Sequence, residues 1–224
     1  GINSCTNYSA PFSITLKRPV ITTIGSLSSF TACAGSASSS QNFSVSGSYI
    51  SNSTGIDVNA PSGFEVSTDD ANFSGSVNVS ASSGNVSATT IYVRLSNSAS
   101  SGSTSDNVIC TAASAVNKNV ATSATVTTAP IAGTLSGTET ACSNSSTIFS
   151  SNGDAGGSWS SASTSVATID ASSGVITPIS AGTSVMTYTV TGTDICAGSD
   201  ASATRTVTVN AAATGGSLTV DKTE

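Results

Sequence analysis

Any reactive chemistry in this chain would fall to carboxylates, hydroxyls and thiols, because it contains no histidine. Nucleophilic catalysis needs a base beside the nucleophile, and without imidazole that base would be Asp, Glu, Lys or Tyr. The many serines form no G-x-S-x-G elbow. Asp57, Asp69, Asp70, Asp154, Asp194 and Asp200 lie among Gly, Ser and Asn, a setting in which Asp braces turns through its own backbone. The reading is that the chain carries no catalytic residues and no cofactor. "STDDANFSG" places Asp69, Asp70 and Asn72 close together. These are the hard oxygen donors that calcium takes, but without EF-hand spacing or a nearby Glu. They are the weak metal candidates, and a hairpin turn explains them equally well.

Five cysteines, Cys5, Cys33, Cys110, Cys142 and Cys196, are widely spaced with no CxxC pair. Without histidine a zinc site is disfavoured, and in a chain this poor in charge the thiols read as disulfides of an oxidising compartment. Six basic residues stand against twelve acidic ones. The acidic balance excludes nucleic acid as a partner, since phosphate binding needs clustered Lys and Arg, and Lys17-Arg18 is the only adjacent pair. No apolar run approaches the roughly 20 residues of a transmembrane helix. No signal peptide is visible and the first residue is Gly, so the chain reads as a piece of a longer polypeptide, expected to be monomeric.

The elements that must position these groups are strands. Period-two alternation runs through "NFSVSGSYI", "SGSVNVSAS", "TTIYVRLSN", "KNVATSATVTT", "SVMTYTV" and "TRTVTVN". Gly63, Gly84, Gly102, Gly174 and Gly182 punctuate them with turns, and no amphipathic helix is evident. Short, regularly spaced strands predict an all-β chain of antiparallel β-sandwiches. "SVATIDASSGVITPIS" reads as a short strand, a turn at Ser172-Ser173-Gly174 and a second strand. Pro178 is expected at a strand end or edge because it cannot donate a ladder bond. Trp159 is expected in the core, Tyr92 and Tyr188 as packing residues, and Arg94 covering apolar surface or paired with an acid.

Internal similarity sets the domains. "CTNYSAPFSITLKRPVITTIGSLSSFTAC" resembles "CAGSDASATRTVTVNAAATGGSLTVDKTE", each running from a Cys through a final strand into a small-residue connector. The parse is therefore the last strand of a preceding repeat at 1–18, a sandwich at 19–128, a second at 129–210, and a connector with the start of a next repeat at 211–224. On this parse Cys33 pairs with Cys110, Cys142 pairs with Cys196, and Cys5 is left unpaired because its partner lies upstream.

"WSSASTSVATIDASSGVITPISAGTSVMTYTV" resembles the bacterial Ig-like domain, group 2, through its alternation, both turns and Gly182. The flanking cysteines and "GGSWSS" resemble repeats of the very large surface adhesins of Bacteroidetes, the gliding-motility (SprB) type. The first unit is similar to another repeat of the same surface proteins. The resemblance implies tandem Ig-like sandwiches in a stalk exported by type IX secretion, anchored at the outer membrane through other parts of the chain and taking part in gliding motility and surface attachment. Its partners would be neighbouring repeats and, secondarily, surface polysaccharide. The alternative is a carbohydrate-binding or accessory module of a large secreted surface protein or glycosidase.

Overall fold

Alternating apolar and hydroxyl side chains cannot bury a face as a helix but can as a strand, and the computed structural model is built accordingly. It describes residues 15–212. The expected final strand of a preceding repeat at 1–18 and the start of a next one at 211–224 lie almost entirely outside those residues. The chain divides into two compact units, one comprising residues 1–31 and 36–125, the other residues 32–35 and 126–224. The segment 32–35, expected within 19–128, thus groups with the second unit.

In the first unit β1 (Val20–Ile24), β3 (Gln41–Ser48), β5 (Phe64–Ser67) and β7 (Asn85–Leu95) form a sheet in the order β1-β3-β7-β5. The second sheet runs β2-β9-β8-β4-β6, from β2 (Phe30–Cys33), β4 (Ile56–Asn59), β6 (Ser76–Val79), β8 (Gly102–Thr111) and β9 (Lys118–Thr127). Phe43, Val45, Val66, Ile91 and Val93 of one sheet, and Ile56, Val58, Val108 and Cys110 of the other, are buried. Phe30 and Phe64 meet edge to face across the two sheets at 5.4 Å between centroids, a favoured aromatic geometry.

Alternation breaks down at the end of β3. Counting from Phe43 and Val45 would put Tyr49 in the core, yet Tyr49 is 49% exposed and Ile50 is 2% exposed. The pairing of β3 with β7 shifts register between Val45 and Gly47, and Tyr49 adopts φ 58°. Gly47 allows this packing, because a Cβ there would lie 2.8 Å from Ile50 Cγ1 and 3.0 Å from Ile56 Cδ1. A left-handed Tyr turns its ring outward, and Ile50 takes the inward place.

The second unit has β10 (Leu135–Gly137), β12 (Thr147–Ser151), β14 (Ala167–Ile169) and β15 (Val175–Pro178) in the order β10-β12-β15-β14. Its other sheet is β11-β17-β16-β13, from β11 (Thr140–Cys142), β13 (Ser158–Ser161), β16 (Gly182–Val190) and β17 (Ala201–Asn210). One core joins the sheets: Leu135, Phe149, Ala167 and Ile176 from the first, Trp159, Met186, Tyr188, Val207 and Val209 from the second. This is the immunoglobulin strand order, with the tryptophan on the third main strand.

Two details refine the antiparallel expectation. β11 pairs with β17 in parallel, because the first strand leaves one sheet after Gly137 and continues in the same direction along the other. Arg205 of β17 closes this crossing point, donating to the carbonyls of Leu135 at 2.9 Å and Gly137 at 3.0 Å. The expected Ser172–Gly174 turn connects β14 to β15, with Ala167 opposite Pro178 and Ile169 opposite Ile176. Pro178 is the last residue of β15, as its missing N–H requires. Gly174 adopts φ 73°, and a Cβ there would run into the Phe149 carbonyl and lie 3.1 Å from Trp159 Nε1.

Candidate functional site

The carboxylates are absorbed by turns. Asp69 Oδ1 accepts the Ser67 hydroxyl at 2.7 Å and the backbone N–H groups of Ala71 and Asn72 at 3.0 and 2.8 Å. Its Oδ2 accepts Asn72 Nδ2 at 2.7 Å. These bonds, from the Asn72 backbone first, hold the Asp69 carboxyl well below the usual carboxylate range. A calcium ion would have to compete with four donors for Asp69, and no group of three His, Cys, Asp or Glu suited to a metal occurs among the described residues. Asp70 occupies the left-handed position of the same turn at φ 58°.

The other acids behave alike. Asp170 is lowered by the backbone N–H of Ser173, then by the Ser173 hydroxyl and the Ser172 N–H. Asp154 fastens the connector, accepting the Ile131 N–H at 2.8 Å while its own N–H donates to the Ile131 carbonyl at 2.8 Å. Asp57 accepts Asn78 Nδ2 at 2.7 Å and Asp200 accepts the Gly192 N–H at 3.0 Å. Asp194 opens a one-turn 3-10 helix, Asp194–Cys196. The aromatics act structurally as well. Trp159 and Tyr188 lie 4.9 Å apart between centroids. The Tyr188 hydroxyl accepts the Gly157 N–H at 3.0 Å and donates to the Asp154 carbonyl at 2.8 Å. Arg94 pairs with Glu65 at 3.0 Å and lies 3.9 Å above the Phe73 ring.

The cysteines depart from the expected pairing. Cys33 is joined to Cys196, not to Cys110, across a sequence separation of 163 residues. Cys110 is a buried free thiol and Cys142 an exposed one. Cys5 lies outside the described residues. The reason is positional. Cys110 points into the core between the sheets of the first unit, where burial pushes its pKa up to about 11. Cys33 ends β2 and sits beside the 3-10 turn that carries Cys196, with Cα atoms 4.9 Å apart, within the range a disulfide spans. Cys142 ends β11, away from that turn. The shared "TAC" of Thr31–Cys33 and Thr140–Cys142 was the sequence signal for this, because it gives the two cysteines matching positions.

One concave surface was missed. A hollow of about 710 Å³ in the first unit is lined by Lys17, Arg18, Tyr49, Ser51, Gly84 and Ser114, among others. Lys17 Nζ donates to the Tyr49 hydroxyl at 2.8 Å and lies 4.9 Å from its ring centroid. Alternation hid Tyr49, but the single adjacent basic pair was legible. Cations beside an exposed aromatic suit non-covalent binding of an acidic ligand.

No family model and no curated protein matches the chain. Solved structures do. A C-terminal 282-residue fragment of intimin, in complex with the intimin-binding domain of the translocated intimin receptor, is 17% identical with a TM-score of 0.33, over 89% of this chain and 65% of that one. Ig domains 1 and 2 of DIP-gamma are 10% identical with a TM-score of 0.37, over 85% of this chain and 97% of that one. Cadherin domains 3–6 of protocadherin gamma B2 are 10% identical with a TM-score of 0.39, over 87% and 50%. The chain thus spans just under two thirds of the intimin fragment and half of the protocadherin. At such identities and scores these likenesses add nothing to the strand order and cores described above. On those, the chain is a tandem pair of immunoglobulin-like β-sandwiches.

Proposed function

We propose that the chain is a non-enzymatic, tension-bearing spacer segment of a very large cell-surface adhesin, of the Bacteroidetes gliding-motility (SprB) type. Export through type IX secretion, anchoring at the outer membrane by other parts of the protein and a role in surface attachment belong to the same proposal. The observation that carries it is the Cys33–Cys196 bond. A pull on the two ends of the chain passes through this bond and bypasses the residues between. At roughly 3.4 Å per extended residue, the separation of 163 residues keeps about 550 Å of chain out of reach of that force. The turns support the same role, because their carboxylates are spent on backbone N–H groups and leave a neutral hydroxyl surface outward.

Single-molecule stretching tests it. The oxidised chain should release only the short lengths outside the loop, and reductant should add about 550 Å. Equal extension in both states would remove the bond from the path of the force. Antibody labelling of intact cells tests the location, and an intracellular signal would end the adhesin assignment. A second reading, a module that binds acidic carbohydrate, has the Lys17–Arg18–Tyr49 hollow in its favour. Binding of oligogalacturonate, but not of neutral maltohexaose, that is lost in Lys17→Ala/Arg18→Ala would support it.

A further inference from the structure

Cys33 and Cys142 stand at equivalent places. Each is the third residue of a Thr-Ala-Cys run and the last residue of a short strand, β2 or β11. Each strand lies beside the last strand of its sheet, β9 or β17. The next residue makes the same hydrogen bond in both cases. The Ala34 N–H donates to the carbonyl of Thr127, the last residue of β9, at 2.8 Å, and the Ser143 N–H donates to the carbonyl of Asn210, the last residue of β17, at 3.0 Å. The Ala before each cysteine is buried, at 4% and 8% exposure. The two differ in one respect: Cys33 is bonded and Cys142 is an exposed thiol.

What completes Cys33 is the 3-10 turn Asp194–Cys196, which lies after the chain has left β9, crossed its connector and built a further sandwich. The Cys196 sulfur lies 3.5 Å from the Thr128 carbonyl oxygen, directly beyond the end of β9. The corresponding backbone beyond β17 is Ala211. We infer that Cys142 is a second attachment point of the same kind, forming a disulfide with the Cys196-type cysteine of another sandwich of the second unit's type that follows it in the chain. The inference extends the spacer reading, making the cross-link a serial one, each sandwich fastening the next. It depends on the equivalence of the two Thr-Ala-Cys strands and not on any role in adhesion.

The bond forms by thiol–disulfide exchange with a small disulfide oxidant. The Cys142 thiolate attacks glutathione disulfide and releases one glutathione thiolate. The incoming cysteine's thiolate then attacks the Cys142 sulfur and displaces the second. Two protein thiols are oxidised to one disulfide, and one glutathione disulfide is reduced to two glutathione molecules.

The test is a chain in which residues 128–224 are repeated in frame after Asn210, with Cys5→Ser throughout, refolded in a glutathione redox buffer. Peptide mapping without reduction should find Cys142 bonded to the Cys196 of the added copy, in the same molecules in which Cys33 is bonded to the original Cys196. Alkylation of Cys142 should fall at least tenfold relative to the 224-residue chain, and Cys142→Ser should leave the added Cys196 alkylatable. The inference is overturned if Cys142 stays alkylatable, carries only glutathione, or pairs elsewhere while Cys33–Cys196 forms. A second measurement needs no added copy. When a Cys5→Ser/Cys33→Ser/Cys142→Ser chain with a free Cys196 is mixed with a Cys5→Ser chain carrying the Cys33–Cys196 bond, Cys142–Cys196 should be the dominant intermolecular disulfide. A predominance of any other would count against the inference.

Discussion

The two units build the same strand order from different cores. The first relies on Phe, Val, Ile and Leu around a buried thiol, Cys110. The second stacks its Trp159 on Tyr188, adds Met186, and holds the disulfide between Cys33 and Cys196. Alternation over about eight strands is therefore sufficient for the sandwich, and the fastening is a separate device. Small cores gain much from such a device, because a domain's net stability is only about 5–15 kcal/mol.

Substitutions should separate these contributions. The largest expected effect is that of Trp159→Ala, which should cost the second unit about 3–5 kcal/mol through lost burial and the cavity left behind. Hydrogen exchange should rise in β16 and β17 and stay unchanged in β3 and β7. If β3 and β7 respond equally, the two cores are not independent. Cys196→Ser should cost the second unit about 2–4 kcal/mol by freeing the long loop in the unfolded chain, read as a lower denaturant midpoint at constant slope. An unchanged midpoint would mean that the bond matters only under force.

Alkaline pH should then act on the first unit alone. The folded Cys110 pKa, raised to about 11 from 9.0, means that the unfolded chain loses its proton first. The stability tied to the neutral thiol is complete below about 9 and fades as pH climbs toward 11. Cys110→Val should abolish that loss in pH-dependent unfolding of β8, and a loss that persists in the variant would assign it to another group. The smallest effect expected is that of Arg94→Ala, about 1 kcal/mol on the first unit, since the ion pair with Glu65 is half-exposed and its worth is shared with the Phe73 contact. A cost above about 2 kcal/mol would show that the arginine stem packs the sheet more than its charge pairs.

Much of the fold was legible because alternation is a local signal. β3, β6, β7, β9, β16 and β17 fall within the runs that show it, and Trp159 lies in the core as its surroundings suggested. The site residues were less legible. Asp69 and Asn72 were close in sequence, but only the folded turn shows that each satisfies the other, which leaves little for a metal. Tyr49 was misplaced because period-two counting assumes an unbroken strand, and a register shift together with one left-handed residue reverses the facing of everything after it. The cysteine pairing was misjudged because a parse by repeats assumes that each unit closes on itself.

The amino-acid order alone determined that this chain would be strands, turns and buried Val and Ile, since side-chain alternation and turn residues act over a few positions. Which sulfur meets which, and which aromatic reaches the surface, was decided only when distant segments packed. A disulfide requires Cα atoms a few ångströms apart, and nothing in a separation of 163 residues announces that proximity.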